Sequence, residues 1–374
     1  MYEMKKVLFI ATVVRKHILV FHIPYLQMLR EAGYETYVAS ANDTDNEIVE
    51  IPYCDHYVEI NFKRNPLHPG NLLAYRQLKK LIRENHFDII HCHTPVGGLL
   101  GRLTANRTRK RGTKVFYTAH GFHFYKGAPL KNWLLYYPVE KLCARFTDKL
   151  ITINSEDYAL AQKKMKAKEV FYVPGVGVDI SKFENVQVDR ETKRKEIGVP
   201  ENAFLLISVG ELSMRKNHQV VLKAISNLKD SNIHYAIAGT GNKKDYLLGV
   251  AKELGVSNRL HLLGYRRDIA ELYKAADLCC LPSVHEGLPV AVMEAMACGL
   301  PCVVSKIRGN VDLIDKNGGF ESEFNDATGF ADAIIALNAD PELRKSMGEY
   351  NSQRSHMYDI CVILQKMKEV YELE

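Results

Sequence analysis

The stretch Ser283-Val284-His285-Glu286-Gly287-Leu288-Pro289-Val290-Ala291-Val292-Met293-Glu294-Ala295-Met296-Ala297-Cys298-Gly299-Leu300-Pro301 decides how this chain is read. It follows an apolar run, residues 276–282, that predicts a buried strand. The chain then turns at Gly287 and starts a helix at Pro289, since proline has no N–H to lose at the first helical position. Gly299 and Pro301 mark the helix end. A helix N-terminus exposes unpaired N–H groups and favours phosphate. Glu286 and Glu294 are separated by about 12 Å if the helix is continuous. That is wider than the roughly 5–9.5 Å between two carboxylates sharing one glycosidic bond. The pair suits the two ends of one long ligand with phosphate between them, the shape of a nucleoside diphosphate sugar.

Working outward, apolar strand-like runs alternate with helix-like segments along all 374 residues. The first half predicts strands near 7–11, 35–39, 89–91, 114–118, 150–153 and 170–173. Helices are expected near 23–31, 71–84, 97–106, 130–146 and 156–164. The second half predicts strands near 204–209, 234–238, 259–262, 277–281 and 301–304, and an amphipathic last helix near 358–373. This is the pattern of parallel sheets covered on both faces. The expected architecture is α/β, with two doubly wound domains facing a cleft and ligand at the carboxyl ends of the strands. The turn-rich stretch Pro174-Gly175-Val176-Gly177-Val178-Asp179 is the expected linker. Domain boundaries are set at 1–175 with the helix 357–374, and at 176–356.

Composition narrows the class. Hydrophobic residues make up 47% and charged residues 25%, as in a globular protein. No apolar run reaches the length of a membrane-spanning helix. Residues 7–14 imitate a signal peptide, but Arg15-Lys16-His17 follow at once, so they are read as a first buried strand. The eight cysteines include no Cys-x-x-Cys, and reduced thiols in a cytoplasmic protein are expected. Residues 1–180 hold 26 Lys and Arg against 17 Asp and Glu, a net +9, while the rest carries −3. The basic half, with Arg102, Arg107, Arg109, Lys110, Arg111, Lys114, Lys163, Lys164, Lys166 and Lys168, offers a face for an anionic membrane or an acidic substrate, or else an ordinary solvated surface. Residues 129–137, which contain the only tryptophan, Trp133, also mix aromatics with lysine. That mixture occurs at membrane interfaces but is read here as a core helix. Nucleic acid is not expected, since no zinc finger, RNA-binding strand signature or basic helix pattern is present. The glycine-free connection after the first strand argues against a dinucleotide fingerprint and a dehydrogenase.

Further motifs carry polar chemistry. Gly210-Glu211-Leu212-Ser213-Met214-Arg215-Lys216 follows the first strand of the second half and offers Arg215 and Lys216 to a diphosphate. Gly264-Tyr265-Arg266 ends another strand, where the backbone could pair with a base edge and Arg266 stack on it. His120 ends a first-half strand and is placed to contact a sugar hydroxyl or phosphate. His91-Cys92-His93 sets two histidines on one strand face, but a metal needs a third ligand and none is obvious. Asp43-Thr44-Asp45 resembles a metal-holding carboxylate pair and is read as polar loop. No metal and no cofactor are expected.

Together these stretches resemble the bacterial family 4 glycosyltransferases of the two-domain GT-B fold, retaining enzymes, across nearly the whole chain. The resemblance implies that Glu286 contacts the donor sugar near the reacting carbon and Glu294 the ribose diol. It implies that the amides of Gly287, Leu288 and Val290 bind the diphosphate with Lys216. Gly264, Tyr265 and Arg266 fall on the nucleobase loop, His120 on the histidine near the anomeric carbon, and the last helix crosses back to the first domain. Two departures stand out. Glu211 occupies a position where the family often has Arg, so Arg215 is the candidate replacement. The glycine-rich first loop is also absent, leaving Arg15, Lys16, His17 and His22 as acceptor-side candidates. Within the family, the segments around His22, His91-Cys92-His93 and His120 resemble enzymes of capsule, exopolysaccharide or lipid-linked glycan assembly. The expected reaction moves a hexose or N-acetylhexosamine from a UDP-sugar to a glycan, carried on polyprenyl diphosphate. The alternatives are a sugar-nucleotide epimerase or hydrolase of the same fold, and a non-catalytic sugar-nucleotide-binding partner.

Overall fold

The structure, a computed structural model, describes residues 4–44, 49–228 and 232–373. It divides into two units. Unit 1 holds the chain up to Val176 together with residues from Ile363 on, and unit 2 runs from Gly177 to Val362.

Unit 1 is built on seven strands: β1 (Lys6–Val13), β2 (Glu35–Ala41), β3 (His56–Glu59), β4 (Ile89–His93), β5 (Lys114–Ala119), β6 (Lys149–Thr152) and β7 (Glu169–Tyr172). Their order is β3-β2-β1-β4-β5-β6-β7, with every pairing parallel. Unit 2 holds β8 (Phe204–Val209), β9 (Ile233–Ala238), β10 (Leu260–Gly264), β11 (Leu278–Leu281), β12 (Cys302–Ser305) and β13 (Gly319–Ser322). Their order is β10-β9-β8-β11-β12-β13, again all parallel. Both sheets therefore reverse direction of growth once, between β1 and β4 in unit 1 and between β8 and β11 in unit 2. A switch point of this kind leaves a crevice at the strand ends where ligands bind.

The continuous apolar runs became central strands because both faces of each sheet are covered. In β1, Val7, Leu8, Phe9 and Ile10 are all fully buried. The two strands that the apolar pattern does not announce, β3 and β13, lie at sheet edges. Each has a single neighbour and only partial burial, so neither needs an unbroken apolar sequence.

Five helices matter below: α1 (Ile23–Glu31), α2 (Pro95–Arg109), α3 (Leu130–Cys143), α4 (Val290–Ala297) and α5 (Ile360–Tyr371). The division between units falls inside α5, after Val362, rather than before residue 357. The start of α5 is tied into unit 2, because Ile360 N–H donates to Val178 O at 2.9 Å and Val178 N–H to Tyr358 O at 3.0 Å. The body of α5 buries Ile363, Met367, Val370 and Tyr371 in the same apolar cluster as Val7, Phe9 and Phe116. Its last turn is held by Lys149, whose Nζ donates at 2.6 Å to both Val370 O and Glu372 Oε1.

The basic face is smaller than composition suggests. Arg102 is fully buried, pairs with Glu140 at 2.8 Å and stacks on Tyr117 at 3.8 Å. Arg109 pairs with Asp148 and Lys114 with Glu372. The Trp133 tract meets the core on one face only, through Trp133, Tyr136 and Tyr137. Trp133 packs on Phe124 and Tyr137, but Leu130, Leu134, Leu135 and Leu142 of α3 are exposed. Among the described residues no helix is long and apolar enough to cross a membrane. Asp43 accepts the Arg15 N–H at 2.6 Å, a loop contact, and Asp45 lies outside the described residues.

Candidate active site

In unit 2 the loops after β8 and β11 meet at the switch point. The β8 loop brings Arg215 and Lys216, and the β11 loop brings Glu286. Arg215 Nη1 and Lys216 Nζ each donate to Glu286 Oε1 at 2.8 Å. Arg308 clamps the same turn from the other side, with Nε and Nη2 both 3.1 Å from Glu286 O. Burial pushes the Glu286 carboxyl up, but the adjacent Lys216 and Arg215 charges outweigh it and hold the carboxyl below its ordinary value. Sequence reasoning gave the cations to phosphate and Glu286 to sugar as separate tasks. In the structure the three form one ionic group, so a ligand here enters a preformed charge network.

Beyond Glu286 the chain turns into α4. Pro289 is the N-cap rather than the first helical residue, with an extended ψ of 116°. The turn is tight because Gly309 lies against it: a Cβ at Gly309 would sit 2.4 Å from Gly287 O, at a φ of +83°. The amides of Gly287, Leu288 and Val290 donate to no group among the described residues. The first intrahelical donors are Val292 and Met293, both to Pro289 O. Three undonated N–H groups therefore stand at the positive end of a helix, just after the carboxylate that holds two cations. Gly299, at φ +75°, terminates α4 as the sequence indicates.

Glu294 sits inside α4. Its carboxyl has no hydrogen-bond or ion partner among the described residues, and burial pushes it up to about 7. An unpartnered carboxyl so placed is an acceptor in reserve. Glu211 is exposed and joins neither Glu286 nor the cations, and Arg215 is the second cation beside Lys216. Gly264 has φ +68°, and its carbonyl accepts from Gly239 N–H at 2.8 Å. Tyr265 is 74% exposed. Arg266 Nε donates to Asp268, and Nη2 to Asp268 and Glu196, so these two nitrogens are already committed to acidic partners.

In unit 1 the equivalent strand ends carry histidines. After β1 the chain makes a wide π-helical turn, Val14–Ile18, that carries His17, and His22 precedes α1. Thr94 links β4 to α2 at φ +61° and ψ 155°, an unusual conformation for threonine. It is held there by Thr12, whose N–H and Oγ1 both contact Thr94 Oγ1, at 3.0 and 2.7 Å. His93 ends β4 and His120 follows β5. His17 and His120 line a cavity of 240 Å³ with Thr94, Tyr117, His123 and Glu140. A second cavity of 350 Å³ is lined by Lys16, His17, Arg64 and His123. His22 is only 1% exposed, wedged against Phe9 and His93. It cannot touch an acceptor directly, which corrects its place among the acceptor-side candidates.

His91 and His93 do not share a ligand. His91 is bonded to Tyr371 Oη and, at 2.8 Å, to Thr118 Oγ1. His93 points instead toward His120, His22 and His17. Burial lowers all five imidazoles, His91 to about 3 and His120 to about 4, so these rings are neutral near pH 7.

Comparison with known proteins now decides the family. Residues 6–154 match the family described as Glycosyl transferase 4-like, and residues 189–354 match Glycosyl transferases group 1. The protein named "Putative glycosyltransferase EpsD" of Bacillus subtilis (strain 168) is 38% identical over 372 residues, 98% of this chain and 96% of that one. The chain is a family 4 glycosyltransferase. The transferase is also 31% identical over 303 residues to the UDP-Gal:alpha-D-GlcNAc-diphosphoundecaprenol alpha-1,3-galactosyltransferase of Escherichia coli, covering 79% of this chain and 77% of that one. The solved structure of Anabaena Alr3699/HepE in complex with UDP-glucose shares its GT-B fold, with a TM-score of 0.80 and 21% identity over 99% of this chain and all of that one.

Sequence reasoning missed the histidine group and Arg308. Neither has a local motif, because each is assembled from the ends of separate strands. The available signal was topological. Histidines fall at or just past the ends of β1, β4 and β5, three adjacent strands at the switch point of a doubly wound sheet.

Proposed function

We propose that this transferase is a retaining enzyme that moves a hexose or N-acetylhexosamine from a UDP-sugar to a hydroxyl of a glycan borne on polyprenyl diphosphate, in cell-surface polysaccharide assembly. The observation that carries the donor half is the set of undonated amides at Gly287, Leu288 and Val290 beside Lys216 and Arg215. Fixed donors and charges of this kind stabilise negative charge without reorganising as it develops. In the proposed reaction they receive the leaving diphosphate, and no metal is required for that task. Glu286 contacts the donor sugar, Glu294 accepts the ribose diol, and the Gly264–Arg266 loop meets the base. His120 approaches the anomeric centre as a neutral imidazole, while His17 lies on the acceptor side. The diphosphoundecaprenol in the name of the Escherichia coli relative, and the UDP-glucose bound to the Anabaena protein, support the two substrate classes.

A donor screen tests this reading. UDP release from a panel of UDP-sugars, with a lipid-linked acceptor pool, is expected for one or two donors and only with acceptor present. Conversion of donor alone contradicts a transferase role and favours an epimerase or hydrolase.

The exposed leucines of α3, with Lys131 and Lys141 on the same helix, support peripheral contact with the inner face of the plasma membrane. Co-sedimentation with anionic vesicles is expected to weaken in Leu134→Asp and with added salt. Equal sedimentation of both proteins contradicts that contact.

A further inference from the structure

The ends of β1, β4 and β5 bring four imidazoles into one group. One nitrogen from each of His17, His22, His93 and His120 lies within 4.8 Å of one from every other ring. Two approaches are closer: His17 Nε2 to His22 Nε2 at 3.2 Å, and His93 Nδ1 to His120 Nε2 at 3.3 Å. A tetrahedral ion with bonds of about 2.0–2.1 Å to histidine holds its nitrogens about 3.3–3.4 Å apart. Two edges of that tetrahedron are therefore already set. The widest separation must close by about 1.5 Å to complete it.

Hydrogen bonding alone serves this group poorly. Each contact between neutral rings needs one protonated and one bare nitrogen. His22 Nδ1 and His93 Nε2, the ring nitrogens outside these two contacts, are buried with no partner in the structure; as the N–H positions of neutral rings they leave His22 Nε2 and His93 Nδ1 bare to bind an ion. The surroundings also favour an ion held by nitrogen. Phe9 packs against His93 and His22 at 5.4 and 5.8 Å between ring centres, a dry wall of the sort that tightens metal sites. The turn at Val14–Ile18 and the strained Thr94 fix the backbone on either side.

We propose that His17, His22, His93 and His120 form an inhibitory binding site for a divalent transition-metal ion, with Zn²⁺ the best-fitting occupant. Four imidazoles without carboxylate or carbonyl ligands suit zinc, copper or nickel and disfavour magnesium and calcium. The site belongs to unit 1 and uses none of the groups proposed for the diphosphate. It shares His120 and the acceptor-side His17 with the proposed transfer chemistry, so bound zinc takes the lone pairs of both rings away from substrate and slows transfer.

The full chain, stripped with chelator and dialysed, is titrated with Zn²⁺ by calorimetry, and with Co²⁺ while visible absorption is recorded. The expected result is one ion per chain, an intense tetrahedral Co²⁺ spectrum, and a rise in melting temperature with Zn²⁺. His17 is only partly buried and sits on a turn, so His17→Gln is expected to keep its metal-free melting temperature and UDP affinity. Its zinc affinity should fall by more than the about 10–100-fold that loss of an outer-shell partner costs. His123→Gln, an exposed ring beside the group, should bind zinc as the parent does. A weak octahedral Co²⁺ spectrum, no stoichiometric zinc, or equal zinc affinity in His17→Gln and the parent overturns the proposal. Because UDP affinity is read on the same samples, failure here is distinct from failure of the nucleotide site.

Discussion

Units 1 and 2 use the same device for opposite chemistry. Each is a parallel sheet with one switch point, and each gathers its polar residues at the strand ends there. In unit 2 that place holds permanent charge: Arg215, Lys216 and Arg308 around Glu286, beside undonated amides. In unit 1 it holds four neutral rings walled by Phe9. The fold fixes where a ligand goes. Side chains from the ends of the first, fourth and fifth strands of each unit decide which ligand it is. A cationic, N–H-rich turn selects an anion, while a dry imidazole group selects a lone-pair acceptor or a hydroxyl.

The sharpest way to break this contrast is to remove charge from unit 2. Glu286→Gln frees Lys216 and Arg215 from their shared carboxylate and deletes the proposed contact to the sugar. Transfer, followed as acceptor-dependent UDP release, is expected to fall by about 10²–10³, with UDP still bound. Wild-type turnover removes Glu286 from the chemistry.

Backbone shape comes next. Gly309→Ala places a methyl 2.4 Å from Gly287 O at a positive φ. The turn that presents the amides must move, so stability should drop by about 1–3 kcal/mol and UDP affinity with it. Thermal melts and calorimetry on one preparation read both. Lost stability with intact UDP affinity separates the turn from the ligand.

A pH dependence sharpens the role of Glu294. Its carboxyl is pushed up to about 7 by burial, and a ribose diol donates to the ionised form. Nucleotide binding must then expel a proton below pH 7, so UDP affinity should rise about 10-fold from pH 6 to pH 8. Glu294→Gln, with nothing to ionise, should bind more weakly and lose that slope. The same slope in both proteins assigns the titration elsewhere.

The smallest effect checks that unit 1 stands apart from the nucleotide. Tyr371→Phe removes the hydroxyl bonded to His91, which should cost about 1–2 kcal/mol of stability. UDP affinity is expected to stay unchanged, and a fall in affinity contradicts the separation of roles.

The sequence made the central strands legible, since a strand buried on both faces must be apolar throughout. It made the 283–301 turn legible too, since Gly287, Pro289 and Gly299 each have a backbone reason to be there. Edge strands β3 and β13 escaped because one neighbour and half a face demand little of their residues. The ionic group of Arg215, Lys216 and Glu286 was legible as three residues but not as one unit, because its closure depends on side-chain reach across two loops. Arg102 misled for the reverse reason: charge counted from composition takes no account of a partner such as Glu140, 38 positions away. The histidines were visible individually. Their assembly follows from strand order, which no local pattern encodes.

The unit 2 turn is, above all, a seat for a nucleoside diphosphate in the proposed reaction. Calorimetric titration of UDP into the parent protein, Lys216→Ala and Glu294→Ala tests it most directly. Each variant is expected to bind UDP at least about 10-fold more weakly, through the lost phosphate cation or the lost diol acceptor. Unchanged affinity in both variants contradicts the account.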